Sequence, residues 1–245
     1  MQRLNAFQLK LLMAGLMVFD HLHDIPGLVG PMTAGILHVL TRCVAVWFAF
    51  AAVEGFIHTR DRIRYALRLI FASLIMTVGN TLLNLLLASH GLAITNNIFT
   101  TLAAGVVVLT LFFADDVVII KSPWLRIPLG IFITILGMVG NEGGLVILPF
   151  MLITYAFRAN KVLRNSLYFL LSAVLFALSF SLYPSTIETI TMLLYNSDWF
   201  FISVLPFIAL YNGQRGPKTR FSQYFFYVFY PLHLWVIYVI AYLVS

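Results

Sequence analysis

Four ionisable side chains crowd the stretch "FDHLHD": Asp20, His21, His23 and Asp24. On a helix Asp20 and Asp24 share a face at i,i+4, while Asp20–His23 and His21–Asp24 are i,i+3 neighbours. A carboxylate beside an imidazole fixes its tautomer and raises its basicity, which suits a general base. Asp20 and His21 are the pair expected to do chemistry, whereas His23 and Asp24, just ahead of "IPG", are expected to meet headgroups. His38 and Arg42 repeat the i,i+4 spacing. Two roles are open to Arg42: counter-ion to Asp20, or a guanidinium that stabilises an oxyanion. Glu54 and His58 are again i,i+4, and Thr59, Arg60 and a basic run to Arg68 follow them. That run serves either as membrane anchoring or as a phosphate-binding mouth for an anionic cofactor. His233, with Tyr230 at i−3, is either a packing histidine or part of a polar lining. Pro231 removes a backbone donor just before it and is expected to kink the helix.

The elements that position these groups must be membrane helices. The chain is 61% hydrophobic and 10% charged, with a mean hydropathy of +0.96. Soluble domains run at about 45–50% apolar and about 25% charged. Apolar segments at 7–23, 33–57, 66–88, 98–118, 127–141, 144–158, 166–183, 197–212 and 222–243 predict an all-α polytopic bundle of about nine transmembrane helices, within a range of roughly 8–10. The stretch 186–196 is either a short extra segment or the start of the eighth. Pro26, Pro31, Gly91, Pro123, Gly143–Gly144, Pro184 and Gly213 fall in the connections. The whole chain, 1–245, reads as one integral membrane domain. Arg3 and Lys10 precede the first apolar run as in a signal peptide, but no small-residue cleavage site follows, so a retained helix is expected. Arg42 would then lie about 13 Å from the outer end of the second span, at 1.5 Å per residue. A charge at that depth costs about 2.5–3.5 kcal/mol and faces a bundle interior or a wet cavity.

With connections assigned alternately to two sides, fourteen of the 15 lysines and arginines fall on the side of the N-terminus, and the other side receives none. The positive-inside rule makes that side cytoplasmic, with the C-terminus extracytoplasmic, as in a multi-pass protein of a bacterial cytoplasmic membrane. The net charge of +6 matches anionic inner-leaflet lipid, so membrane lipid is the expected partner and nucleic acid is not. Cys43 is the sole cysteine, HExxH, P-loop, GxSxG and GxGxxG motifs are absent, and no metal is expected.

Four blocks then resemble the TraX family, named for the conjugative-pilus protein linked to N-terminal acetylation of pilin. They are "KLLMAGLMVFDHLHD" (Lys10–Asp24), "TRCVAVWFAFAAVEGFIHTRDRIRYALRLIFA" (Thr41–Ala72), "NIFTTLAAG" (Asn97–Gly105) and "LYNGQRGPKTRFSQYFFYVFYPLHL" (Leu210–Leu234). The chain departs from the family pattern at Thr41 and Val46, where Gly and Pro are usual, and at Asn141–Glu142–Gly143. Matching positions remain at Asp20, His21, Arg42, Glu54, His58, Asn97, Asn212 and His233. The resemblance implies an acetyl-CoA-dependent N-acetyltransferase whose acceptor is a pilin N-terminus or a similar amine or hydroxyl, reached from the extracytoplasmic side. It implies that Arg60, Arg62, Arg215 and Lys218 hold the CoA phosphates, with Glu54, His58, Asn97, Asn212 and Tyr230 along the donor's path. In this scheme His21, oriented by Asp20, is the base and Arg42 stabilises the oxyanion. His233 positions the acyl group or protonates the leaving thiolate. Two other classes compete: a transporter or flippase with a proton-relaying cavity, and a non-catalytic pilus-assembly membrane protein.

Overall fold

Asn5 opens α1 (Ala6–Asp20) with a reciprocal capping box. Its Oδ1 accepts from the Gln8 amide at 2.9 Å, and Gln8 Oε1 accepts from the Asn5 amide at 3.0 Å. Two amides that the helix cannot pair are thereby satisfied, a contribution of about 1 kcal/mol. The structure is a computed structural model that describes residues 3–115 and 120–245. The last residues of the expected 98–118 segment lie outside the described residues.

Helix follows helix: α2 (Pro31–Thr41), α3 (Cys43–His58), α4 (Arg62–Leu87), α5 (Ile98–Phe113), α6 (Pro123–Gly140), α7 (Gly144–Ala156), α8 (Lys161–Ser179), α9 (Thr186–Tyr195), α10 (Leu205–Leu210) and α11 (Arg220–Val244). Short 3-10 turns stand at Leu22–Asp24, Ala88–His90 and Ser197–Val204. The described residues hold no strand, only an isolated parallel bridge between Leu4 and Tyr211. An all-α membrane bundle is therefore what the chain builds.

The expected count of nine spans is not reproduced. Among the described residues, five helices are long and apolar enough to cross a membrane, or six if the bent pair Thr186–Tyr195 and Ser197–Leu210 is one span. Each of the nine expected segments is nevertheless helical. The shortfall lies in α1, α5 and α7, with 15, 16 and 13 residues, where about 20 are needed to cross the hydrocarbon. The second segment is interrupted at Arg42 between α2 and α3. The stretch around 186–196, expected as a short extra segment or the start of the eighth, is α9, bent by 52° from the helix that follows it. Pro231 lies inside the 25-residue α11. Along α4 the apolar side chains Leu67, Phe71, Leu74, Val78, Leu82 and Leu85 are all exposed. A stripe of this length at 3–4-residue spacing is a lipid-facing surface.

The chain forms two compact units. The first comprises Met1–Trp47, Gly79–Thr95 and Phe169–Ser245. In it α1 packs against α2 and α11, and α2 against α9 and the Ser197–Val204 turn. Leu9 and Met13 of α1 and Leu234 and Ala241 of α11 are fully buried. The second unit comprises Phe48–Val78 and Asn96–Tyr168, with α5, α6 and α7 packed on one another. There Gly143 takes φ +62° to turn α6 into α7, and a Cβ on Gly144 would strike the Gly137 carbonyl. Only glycine permits that approach.

Candidate functional site

In the first unit, α1 ends at Asp20 and α2 ends at Thr41, and their ends meet through side chains. Arg42 Nη2 lies 3.2 Å from both carboxylate oxygens of Asp20. The Thr41 hydroxyl donates to Asp20 Oδ1 at 2.6 Å. Arg42 Nε donates to the His38 carbonyl at 3.0 Å, and Nη1 donates to Asp198 Oδ1 at 3.3 Å. His38 Nδ1 is 3.1 Å from Arg42 Nη2 and 3.5 Å from Asp20 Oδ1. A guanidinium nitrogen only donates, so His38 accepts there. Of the two roles open to Arg42, this geometry is that of a counter-ion: two carboxylates and a carbonyl occupy its fork.

A second set stands on the same helices. His21 follows the last residue of α1, and its Nδ1 lies 2.9 Å from Asp24 Oδ2. The expected orienting carboxylate, Asp20, is thus replaced by Asp24, because the helix stops at Asp20 and the Leu22–Asp24 turn swings Asp24 beneath the ring. Tyr238 of α11 donates its hydroxyl to the other Asp24 oxygen at 3.3 Å. One turn earlier on α11, His233 faces His21 with ring centroids 5.6 Å apart. Its Nδ1 meets the Phe229 carbonyl at 3.1 Å. A carbonyl only accepts, so the proton of the neutral ring sits on Nδ1 and Nε2 carries the lone pair. That Nε2 is buried with no hydrogen-bond partner among the described residues. Phe229 stacks on the imidazole at 5.2 Å, and buried Tyr230 packs against it at 5.6 Å.

In the first unit, the Asn212 backbone N–H donates to the Leu4 carbonyl at 2.9 Å, and its side-chain Oδ1 accepts from the Gln214 backbone N–H at 2.9 Å. Arg215 and Lys218 are exposed on the same loop, with Lys10 in electrostatic reach of Arg215. Within the second unit, His58 Nδ1 donates back to its own helix, to the Glu54 carbonyl at 2.9 Å, and Glu54 Oε2 is 4.0 Å away. Arg60 is exposed beside them. Asn97 is not at that end. It precedes α5 and donates to the Ser73 carbonyl and the Thr77 hydroxyl, both at 3.0 Å. Ser73 is eleven residues along α4 from Arg62, or about 16 Å.

Asp198, Thr41 and Tyr238 are the polar partners that residue spacing does not reveal. Asp198 lies 156 positions from Arg42, so no periodicity connects them. No group of three or more His, Cys, Asp or Glu among the described residues is arranged to hold a metal ion.

A family model described as TraX protein matches residues 6–241. No curated protein matches the chain, and neither does any solved structure.

Proposed function

The chain belongs to the TraX protein family and is a membrane protein, and from that premise we propose that it is an integral membrane acyltransferase. The donor in this reading is acetyl-CoA, and the acceptor is an amine or hydroxyl, a pilin N-terminus above all. One observation carries it: the facing imidazoles of His21 and His233, each tied by Nδ1 to an oxygen acceptor, with the His233 Nε2 buried and without a hydrogen-bond partner among the described residues. Fixing the tautomer through the far nitrogen is the arrangement a general base requires.

One Nε2 accepts the proton as the acceptor's nitrogen or oxygen attacks the thioester carbonyl carbon. The tetrahedral oxyanion collapses, the C–S bond breaks, and the abstracted proton is delivered to the leaving thiolate, directly or across the histidine pair. Asp24 keeps the His21 proton on Nδ1. Arg42 acts as a positioning residue, holding Asp20 and Asp198. Charge asymmetry supports a cytoplasmic N-terminus and an extracytoplasmic C-terminus in a bacterial cytoplasmic membrane, so donor and acceptor approach from opposite faces.

The test is turnover of acetyl-labelled CoA by the purified protein with an added peptide amine, wild type beside His233→Ala. Label on the peptide with wild type, reduced about 10²–10⁴-fold in the variant, supports the reading. Labelled donor left intact by wild type overturns it and makes solute transport the reading to test.

A further inference from the structure

We infer that the second unit carries a phosphate-binding site anchored by Arg164, with Arg158 and Arg62 at its rim. Arg164 is 8% exposed, although an arginine that merely anchors a membrane protein snorkels to water. Its Nε and Nη2 meet only the Asn165 side-chain oxygen, at 3.3 and 3.2 Å. Its guanidinium carbon lies 5.7 Å from the Tyr168 ring. No carboxylate stands within ion-pair distance of it among the described residues. Glu54 reaches it only through space. A buried arginine without a bonded counter-ion is costly to keep unless an anion visits it.

Arg164 lies in the first turn of α8, which holds no acidic residue in that turn, whereas the α4 N-terminus is capped by Asp61, whose Oδ1 accepts from the Arg64 amide at 2.9 Å. The amides at a helix N-terminus favour anions and repel cations. Aromatic rings tie the neighbouring arginines to the same end of this unit. Arg62 stands 5.0 Å over Phe56, Phe56 meets Tyr155 edge-on at 5.4 Å, and Arg158 stands 4.3 Å over Tyr155. Among the described residues, Asp61 pairs with Arg64, and Asp115 with Arg126. Guanidinium forks on rigid aromatic supports suit phosphate oxygens. The ligand class is a nucleotide-type polyphosphate, such as a 3′-phosphorylated adenosine phosphate. An anionic lipid headgroup offers the same chemistry.

The experiment separates these sources. Binding of adenosine 3′,5′-bisphosphate, which has no thioester, is measured on the full chain in phosphatidylcholine nanodiscs. Saturable binding that weakens at least tenfold in Arg164→Gln, less in Arg158→Gln, and not in Arg64→Gln assigns the site to a soluble phosphate. Thermal unfolding of each variant is recorded alongside, and Arg164→Lys, which keeps the charge, should retain part of the binding. If the nucleotide does not bind but phosphatidylglycerol is enriched around wild type and lost in Arg164→Gln, the source is the headgroup. Folded Arg164→Gln that matches wild type in both arms overturns the inference. Acyl transfer that persists in that variant would leave the proposed function standing without this site.

Discussion

One nitrogen of Arg42, Nη2, lies 3.2 Å from both carboxylate oxygens of Asp20. The end of α1 is thereby locked to the break between α2 and α3. Each side chain is only 20% exposed, so removing one partner leaves a poorly solvated charge. Arg42→Gln is expected to cost about 3–5 kcal/mol, read as a lowered thermal unfolding temperature in detergent. Asp20→Asn combined with Arg42→Gln should recover part of the loss, because neither charge is then stranded. Equal unfolding temperatures for wild type and Arg42→Gln would show that the pair holds nothing together.

Asp24 and Tyr238 act on the reaction through His21. Asp24→Asn frees the His21 tautomer and is expected to lower kcat about 10²-fold or more. Tyr238→Phe removes one hydrogen bond of about 1 kcal/mol, so its effect should stay under about tenfold. Both changes should fall on kcat with KM for the donor little altered, in proteins that unfold at the wild-type temperature. A change confined to KM would place these residues in binding instead of positioning.

The turn between α6 and α7 makes a prediction with no chemistry in it. An added methyl at Gly144 meets the Gly137 carbonyl, which is backbone and cannot step aside. Gly144→Ala should therefore cost about 1–3 kcal/mol. Gly140→Ala, which meets nothing within 4 Å, is the comparison, and matched unfolding temperatures for the two variants would refute the close approach.

Residue spacing made the helices legible and left their depth open. Every apolar run became a helix because the punctuation at Pro31, Pro123 and Gly143–Gly144 stops or starts helices for local, steric reasons. Whether a run crosses a membrane depends on its length between those stops, and α1, α5 and α7 fall short. The i,i+4 spacing of His38 and Arg42 read correctly because both lie within one helical turn. His21 Nδ1 hydrogen-bonds to Asp24, which the turn after α1 brings to it, while Asp20 acts on His21 through space. Asp198 was invisible: its pairing with Arg42 depends on how α9 and the following turn fold back onto α2, which no local pattern encodes. Asn97 and Asn212 match the family blocks; Asn97 Nδ2 donates to the Ser73 carbonyl and the Thr77 hydroxyl while its Oδ1 is buried without a hydrogen-bond partner among the described residues, and Asn212 Oδ1 accepts from a backbone amide.

The central claim is that His21 and His233 work as a pair, and a double-mutant cycle on acetyl transfer tests it most directly. Single-turnover rates would be compared for wild type, His21→Ala, His233→Ala and the double variant, each shown to be folded. The account predicts losses of about 10²–10⁴-fold in each single variant, with the double variant little worse than either, as for residues acting in one unit. Wild-type rates in both single variants would contradict it.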